Sequence, residues 1–487
     1  MSAPASARPR KFDTNLVVIG AGSAGLVTAY VAAAAKAKVT LIEREKMGGD
    51  CLNTGCVPSK AIIRSAKVAN YIRRAGEFGL DAGPLDVDFP RVMQRVRDVI
   101  AAIEPHDSIE RYTALGVDCL TGSARLTSPW TVEVNGRTLT TRSIVIATGG
   151  RPFVPPIPGL EDVGYLTSDT IWQLQALPRR LLVLGGGPIG CELAQAFARL
   201  GSAVTLVEMA PRLLGREEPA VSAALKEGFE AEGIKVLPGY KAERFEQADG
   251  DRRAICSGPE GERRIAFDAV LVAVGRRANT DGLEIANAGL ELNSDGTVPV
   301  NEYLQTRQPH ILACGDVTGP YQLTHAAGFQ GWFCAMNALF GNLKRFKADY
   351  SVMPWAVFTD PEVARVGMTA EEAEAAGIAC EITEYGIDDL DRAIADGEAH
   401  GFVKIVTRKG SDRILGATVV GHHAAELVTE YVTAMKHGMG LRKILNTIHI
   451  YPTLAEANRY AAGNWQKARL SPLALKVAAR FHRWRLG

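Results

Sequence analysis

No stretch of the 487 residues approaches the ~18 consecutive apolar side chains that a membrane-spanning helix needs. Neither sign of charge is in excess. Lysine and arginine number 55 against 54 aspartates and glutamates, a formal net charge of +1, so the bulk composition asks for neither nucleic acid nor an acidic partner. A secreted disulfide framework is also missing: the eight cysteines are scattered, and only Cys51 and Cys56 stand close together. The opening "MSAPASARPRK" is small, basic and proline-containing with no apolar run behind it, which reads as a disordered leader over 1–11 and not as a signal peptide. A cytoplasmic protein is therefore expected. In a reducing compartment a close cysteine pair points to catalysis or to metal binding.

What the chain has in quantity is glycine, 49 residues, and a length too great for one core, with about three domains of ~150 residues as the prior. One repeat organises the rest. "NLVVIGAGSAGLVTAYVAAAAKAKVTLIE" runs from an apolar strand through Gly20, Gly22 and Gly25 into an alanine-rich helix, a second strand and Glu43. "RLLVLGGGPIGCELAQAFARLGSAVTLVE" repeats the pattern 165 positions later, with Gly185, Gly187, Gly190 and Glu208. In such a unit the first glycine allows a tight turn, the second lets backbone approach a pyrophosphate, and the third lets helix pack on strand. The helix N-terminus faces the phosphates and the carboxylate accepts from ribose hydroxyls. Two such units suggest one bound flavin and one exchanging nicotinamide. "SIVIATGG" (143–150) and "AVLVAVGRR" (269–277) are apolar runs with glycine at or near their ends, where a chain can cross near a cofactor. "HILACGDVTG" (310–319) places Asp316 at the carboxyl end of a strand, the ligand-facing edge of such sheets.

"GGDCLNTGCVPSK" (48–60) holds the cysteine pair. On an undistorted helix the axial rise alone separates positions 51 and 56 by about 7.5 Å, beyond the roughly 7 Å limit for a bridgeable pair. Bridging them requires an irregular first turn, and Gly55 supplies the freedom for one. A redox pair, a zinc half-site and two buried thiols all remain readings of these residues. Zinc asks for a second cysteine pair or for histidines at ligand spacing; the sequence offers neither, and no metal site is expected.

Gly48 to Lys60 resembles the redox-disulfide signature of the class I pyridine nucleotide:disulfide oxidoreductases, the group of dihydrolipoamide dehydrogenase, glutathione reductase and mercuric-ion reductase. The similarity runs from Asn15 to Trp465 and includes "GGGPIGCELAQAF", "ATGGRP", "ACGDVTG", "FTDPEVARVG" and "HIYPTLAE". It implies an α/β fold with two Rossmann-like dinucleotide-binding domains and a C-terminal α+β dimerisation domain. The FAD domain would span 12–150 and 277–346, the NAD(P) domain 151–276 and the dimerisation domain 347–465, with a tail over 466–487. It also implies a homodimer and a route for two electrons, from nicotinamide to flavin to a Cys51–Cys56 disulfide. Cys56 would be the thiolate against the flavin and Cys51 the exposed attacking sulfur. Lys60 would sit near the reactive nitrogen of the flavin, paired with Glu192. The resemblance sets the backbone around Ala124 along the adenine half of FAD, and Gly149, Asp316 and the turn Leu323, Thr324, His325 near its ribityl or flavin part. For the nicotinamide coenzyme it points to Gly275.

Glu208 would accept from free ribose hydroxyls and repel a 2′-phosphate, which favours NADH. NADPH is the alternative if Arg212 or Arg216 swings in; both read equally as loop arginines. The acceptor is argued from a departure. Relatives that act on organic dithiols carry a histidine directly before the proline of the C-terminal motif, contributed across the dimer and held by the glutamate; here Tyr451 stands there and Glu456 is kept. Tyrosine binds its proton more tightly than histidine by roughly 3.5 pH units, about 4.8 kcal/mol, so Tyr451 cannot shuttle protons with a thiol at neutral pH as histidine would. His449 is the nearest substitute, read as a structural histidine. Mercuric-ion reductases share the tyrosine, and a thiolate-bound metal ion needs no general base. A metal ion or other non-dithiol oxidant is thus the expected acceptor, with dihydrolipoamide dehydrogenase activity and a flavin-binding redox sensor as alternatives. The likeness to mercuric reductase is incomplete, since no cysteine follows Cys380. Asp50 stands where relatives commonly have threonine.

Three features lie outside this scheme. "DDLDRAIADGEAHGF" (388–402) reads as a solvated acidic loop, and His422 and His423, being adjacent, as a poor chelate. Cys119, Cys191, Cys256, Cys314, Cys334 and Cys380 read as small buried apolar residues. After Pro472, Leu473, Val477, Phe481 and Trp484 recur at helical spacing beside Lys476, Arg480 and Arg483, with no acid in the segment. Such a basic amphipathic helix suits peripheral contact with an anionic membrane, or packing within a dimer.

Overall fold

The computed structural model describes residues 8–248 and 250–487; the first seven residues of the expected leader lie outside them. The chain divides into two compact units. One runs to Pro211 and resumes over Glu232–Asp349; the other comprises Arg212–Ala231 and Tyr350–Gly487.

The larger unit holds both copies of the repeat. In the first, Thr14–Ile19 lies between Val39–Glu43 and Arg137–Ile146, all parallel, with Val117–Thr121 and Ile311–Ala313 beyond on either side. Leu16, Val17 and Val18 have no exposed surface, as a parallel strand covered on both faces requires. In the second, Arg180–Leu184 lies between Ala203–Glu208 and Ala269–Val272 in the same arrangement. The register repeats with the sequence: Leu16 pairs with Val39, and Leu181 with Val204, each 165 positions on. The helix Ser23–Ala34 owes its alanines to a close neighbour. A Cβ on Gly331, within the helix Thr324–Phe340, would meet the carbonyl oxygen of Ala24 at 2.5 Å, and the Thr28 hydroxyl donates to Gly331 O at 3.1 Å. The two glycine-rich crossings meet as well, with Gly150–Pro152 pairing antiparallel with Arg276–Ala278.

The smaller unit is built on a five-stranded antiparallel sheet in the order Pro354–Val357, Glu362–Gly367, Ile414–Gly421, Phe402–Arg408, Cys380–Gly386. Helices Ala424–Lys436 and Glu456–Ala468 cover one face and bury Tyr431 and Trp465 against Val403, Ile405 and Val419. Pro472–Arg485 forms the expected tail helix, started by Ser471, whose hydroxyl accepts from Ala474 N. None of its residues is buried. Among the described residues no helix is long and apolar enough to cross a membrane.

Candidate active site

The glycine loops take the same geometry in both copies. Gly20 and Gly185 have φ of 103° and 104°, a region open to glycine and strained for other residues. A Cβ on either would lie 2.4 Å from a carbonyl oxygen, of Ala147 or Ala273. Gly25 and Gly190 sit where helix presses on turn, a Cβ falling 1.8 and 1.9 Å from Gly20 O and Gly185 O. Gly22 and Gly187 cap their helices with extended backbone; a Cβ on Gly187 would meet nothing within 4 Å and one on Gly22 only the Cα of Gly49. Both helix N-termini are thus left clear for an anionic group. Each acidic residue also closes its own turn. Ala21 N and Glu45 N donate to Glu43 at 2.7 and 2.8 Å, and Gly186 N and Ala210 N donate to Glu208 at 2.5 Å each.

The cysteine segment lies against the first of these loops. Gly48 N donates to Ala21 O at 2.9 Å, and a Cβ on Gly49 would be 2.7 Å from Gly22 Cα. The chain makes a short helix, Gly49–Asn53, breaks at Thr54 and Gly55, and starts again as Cys56–Arg73. This is the irregular turn that bringing the cysteines together demands. Gly55 N donates to Asp50 O at 2.6 Å, so close that a Cβ on Gly55 would stand 3.1 Å from that oxygen.

Cys51 and Cys56 are both free thiols, close enough to shift each other's titration. The neighbouring Cys51 thiol holds the pKa of Cys56 down to about 6, helped by the Thr324 hydroxyl 3.2 Å away and by the charge of Lys60, against burial and Asp50. Cys51 is pushed up, by Cys56 and by burial. The pair is therefore divided into a thiolate and a thiol at neutral pH. Lys60, one turn beyond Cys56, reaches Glu192 Oε2 at 2.8 Å; Glu192 is buried on the helix that follows the second glycine loop. Thr324 begins its helix directly after Leu323, with His325 next in the first turn. Gly149 and Gly275 both adopt positive φ, 67° and 143°. Ala124 opens the strand Ala124–Ser128 and is buried.

Sequence reasoning missed Arg276. Its guanidinium is mostly buried and bridges Asp50 Oδ2 at 2.7 Å and Asp316 Oδ2 at 3.3 Å, while donating to Gly150 O at 2.9 Å. Burial raises the pKa of Asp316, with Arg276 pulling the other way. Asp50, whose purpose the sequence left open, thus ties the Cys51 turn to the crossing strand and accepts from Thr54 Oγ1 at 2.6 Å. The available signal was position: Arg276 directly follows Gly275.

Residues of the C-terminal motif lie in the smaller unit. Tyr451 is exposed, and its hydroxyl donates to Asp391 Oδ2 at 3.1 Å, a bond that raises its pKa further. Glu456 is buried and accepts from Thr453 N and Tyr460 OH at 3.3 Å each. His449 is turned away from solvent, its Nε2 3.0 Å from Glu430 Oε1 and its Nδ1 3.0 Å from Thr447 O. Arg212 Nη2 donates to Gly215 O and Glu217 O, within its own loop. Two expectations need correction. Cys119 and Cys380 are partly exposed, unlike the four other isolated cysteines, because both sit on edge strands of their sheets. The acidic segment is not solvated throughout, since Glu398 is buried.

Two dinucleotide-type glycine loops with a polarised thiol pair against one of them define a protein of two-electron redox chemistry. The comparisons with known proteins agree. Residues 14–331 match the model of the pyridine nucleotide-disulphide oxidoreductases and residues 353–462 that of their dimerisation domain. Dihydrolipoyl dehydrogenase of Chlamydia muridarum is 36% identical over 446 residues, 90% of this chain and 94% of the relative. Mercuric reductase of Streptomyces lividans is 36% identical over 456 residues, covering 92% and 95%. The HOCl-induced flavoprotein disulfide reductase RclA of Escherichia coli, solved as a Cu(II) complex, superposes with a TM-score of 0.82 at 28% identity, over 92% of this chain and 99% of its own. The chain belongs to the pyridine nucleotide-disulphide oxidoreductase family. It is accordingly an FAD-dependent oxidoreductase that uses NAD(P)H, and its dimerisation domain supports a homodimer.

Proposed function

We propose that this enzyme passes electrons from NADH through its flavin and the Cys51–Cys56 pair to a metal ion or another non-dithiol oxidant. The carrying observation is Tyr451. Its hydroxyl is exposed, bound to Asp391 and shifted further from neutrality, while the ring nitrogens of His449 are taken up by Glu430 and Thr447. A dithiol substrate needs a base that accepts and returns a proton near pH 7, and neither residue suits that task. The RclA structure with Cu(II) supports a metal acceptor; the dihydrolipoyl dehydrogenases among the relatives favour the alternative.

The residues fit the expected cofactor. Gly20, Gly22 and Gly25 leave a helix N-terminus clear for a pyrophosphate, Glu43 retains acceptor capacity for ribose hydroxyls, and Asp316, Gly149 and Thr324 would line the same crevice near Cys56. FAD, when bound there, supplies the exchange of a two-electron hydride for thiol electrons. Reduction of the Cys51–Cys56 bond by two electrons and one proton leaves Cys51 as thiol and Cys56 as thiolate. Cys56 is held in that form by Cys51, Thr324 and Lys60. Glu192 keeps Lys60 oriented. Cys51, once deprotonated by binding a metal cation, is the sulfur that meets the acceptor. Tyr451 and Glu456 would come from the second subunit, Gly275 would flank the nicotinamide, and the protein would reside in the cytoplasm.

A panel of Hg²⁺, Cu²⁺, quinones, lipoamide and glutathione disulfide, assayed with NADH under argon, tests the acceptor. Turnover with a metal or quinone that is lost in Cys51→Ser is expected. Faster turnover with lipoamide would replace this reading by dihydrolipoamide dehydrogenase, and no turnover with any acceptor would favour a redox sensor. The tail helix supports peripheral contact with anionic membrane: its four basic residues, Lys476, Arg480, Arg483 and Arg485, stand beside exposed Leu473, Val477, Phe481 and Trp484. Equal cosedimentation with anionic liposomes after removal of 467–487 would dismiss it.

A further inference from the structure

Three loops at one end of the C-terminal sheet gather a donor set that the sequence keeps far apart. Asp360 lies two residues before the strand Glu362–Gly367, His422 directly follows Ile414–Gly421, and Glu398 precedes Phe402–Arg408 by four residues. The antiparallel pairs Glu362 with Gly421 and Phe402 with Val420 set these strand ends side by side. One oxygen of each carboxylate and one imidazole nitrogen all lie within 4.8 Å of one another.

Glu398 reaches this point because the helix Asp391–Ala395 ends in a reversal. Gly397 takes φ of 70°, and Glu398 N donates back to Ala393 O at 2.8 Å. The side chain turned in by that reversal is 1% exposed, and Asp360 is 9% exposed. Two carboxylates this close have lost most of their hydration, and a positive charge beside them, imidazolium or metal ion, offsets their mutual repulsion. His400, half-exposed, stands at the rim with Nε2 3.8 Å from Glu398 Oε2.

We propose that Asp360, Glu398 and His422 bind a first-row divalent cation such as Zn²⁺ or Mn²⁺. Two carboxylate oxygens and one imidazole nitrogen suit such ions. At metal–ligand distances near 2.1 Å, ligand atoms stand about 3.0 to 3.4 Å apart, so closing on an ion takes shifts of about 1 Å shared by three side chains. Water completes the coordination. The ion ties three loops of the dimerisation domain together and takes no part in electron transfer, so the proposal stands apart from the acceptor reading.

The test uses full-length, FAD-loaded protein in a Cys51→Ser background, where the thiol pair cannot compete for metal. After chelator treatment, ZnCl₂ and MnCl₂ are titrated calorimetrically and the bound metal is counted by mass spectrometry. One ion per chain is expected, with affinity at least tenfold weaker in Glu398→Gln and in His422→Gln. Metal should raise the thermal midpoint of the parent and not of the variants. Asp360→Asn provides the same readout if either variant fails to fold. Equal metal binding by parent and variants would overturn the proposal. So would absence of binding together with a lower midpoint for Glu398→Gln in chelator, the sign of a histidine held as a plain ion pair.

Discussion

Replacing Thr324 by valine removes one hydroxyl and little else, and it tests whether the thiolate of Cys56 is held as its surroundings indicate. Thr324 Oγ1 lies 3.2 Å from Cys56 Sγ and can donate only to the ionised sulfur with full effect. A hydrogen bond to a charged group contributes about 1.5 to 3 kcal/mol. At 1.36 kcal/mol per unit, its loss raises the thiolate pKa by roughly 1 to 2 units, from about 6 to about 7 to 8. The sign follows from a depressed pKa: the thiolate is present above it and is lost as pH falls through it. In the two-electron-reduced enzyme the long-wavelength thiolate-to-flavin absorbance, followed from pH 9 to pH 5, should fade near pH 6 in the parent and at least one unit higher in Thr324→Val. Cys51→Ala, read with its flavin oxidised because no disulfide remains to take electrons, should move it further, since Cys51 is the larger contributor, and Asp50→Asn should move it down. An unchanged midpoint in Thr324→Val would refute the assignment of the hydroxyl. A fall in Cys51→Ala would refute the division of the pair into donor and thiolate.

Glu192→Gln removes the buried partner of Lys60 and should slow reduction of the cysteine pair about tenfold or more, read by stopped-flow with NADH, while FAD content stays unchanged. Gly190→Ala places a Cβ 1.9 Å from Gly185 O; the helix must shift, at about 1–3 kcal/mol, and both the thermal midpoint and coenzyme affinity should drop, whereas full retention of both would contradict the packing. NADH should exceed NADPH in kcat/KM because Glu208 would accept from the ribose hydroxyls and repel a 2′-phosphate, while Arg212 bonds within its own loop; a clear preference for NADPH would reverse that assignment. Tyr451→His should raise kcat/KM for dihydrolipoamide by roughly a hundredfold, and no gain would show that the missing base is not what sets the acceptor.

The sequence alone determined the two dinucleotide units, because the constraint there is local. A turn that needs φ near 100° at Gly20 and Gly185, and a helix that must touch it at Gly25 and Gly190, can be written only with glycine at fixed spacing. The cysteine pair was legible on a condition: a bond between positions 51 and 56 requires a broken helix, for which Gly55 supplies the freedom, and the structure breaks there. Tertiary structure decided the rest. Arg276 meets Asp50 from 226 positions away, and no spacing announces such a pair. His449 and Tyr451, two apart, lead to a half-buried bond with Glu430 and to solvent, which alternation along a strand does not foretell. Asp360 stood within a family motif, Glu398 in an acidic run and His422 in a histidine doublet until the ends of three strands were laid together. Charges and ligands converge through the register of a sheet, a long-range property that neighbouring residues do not encode.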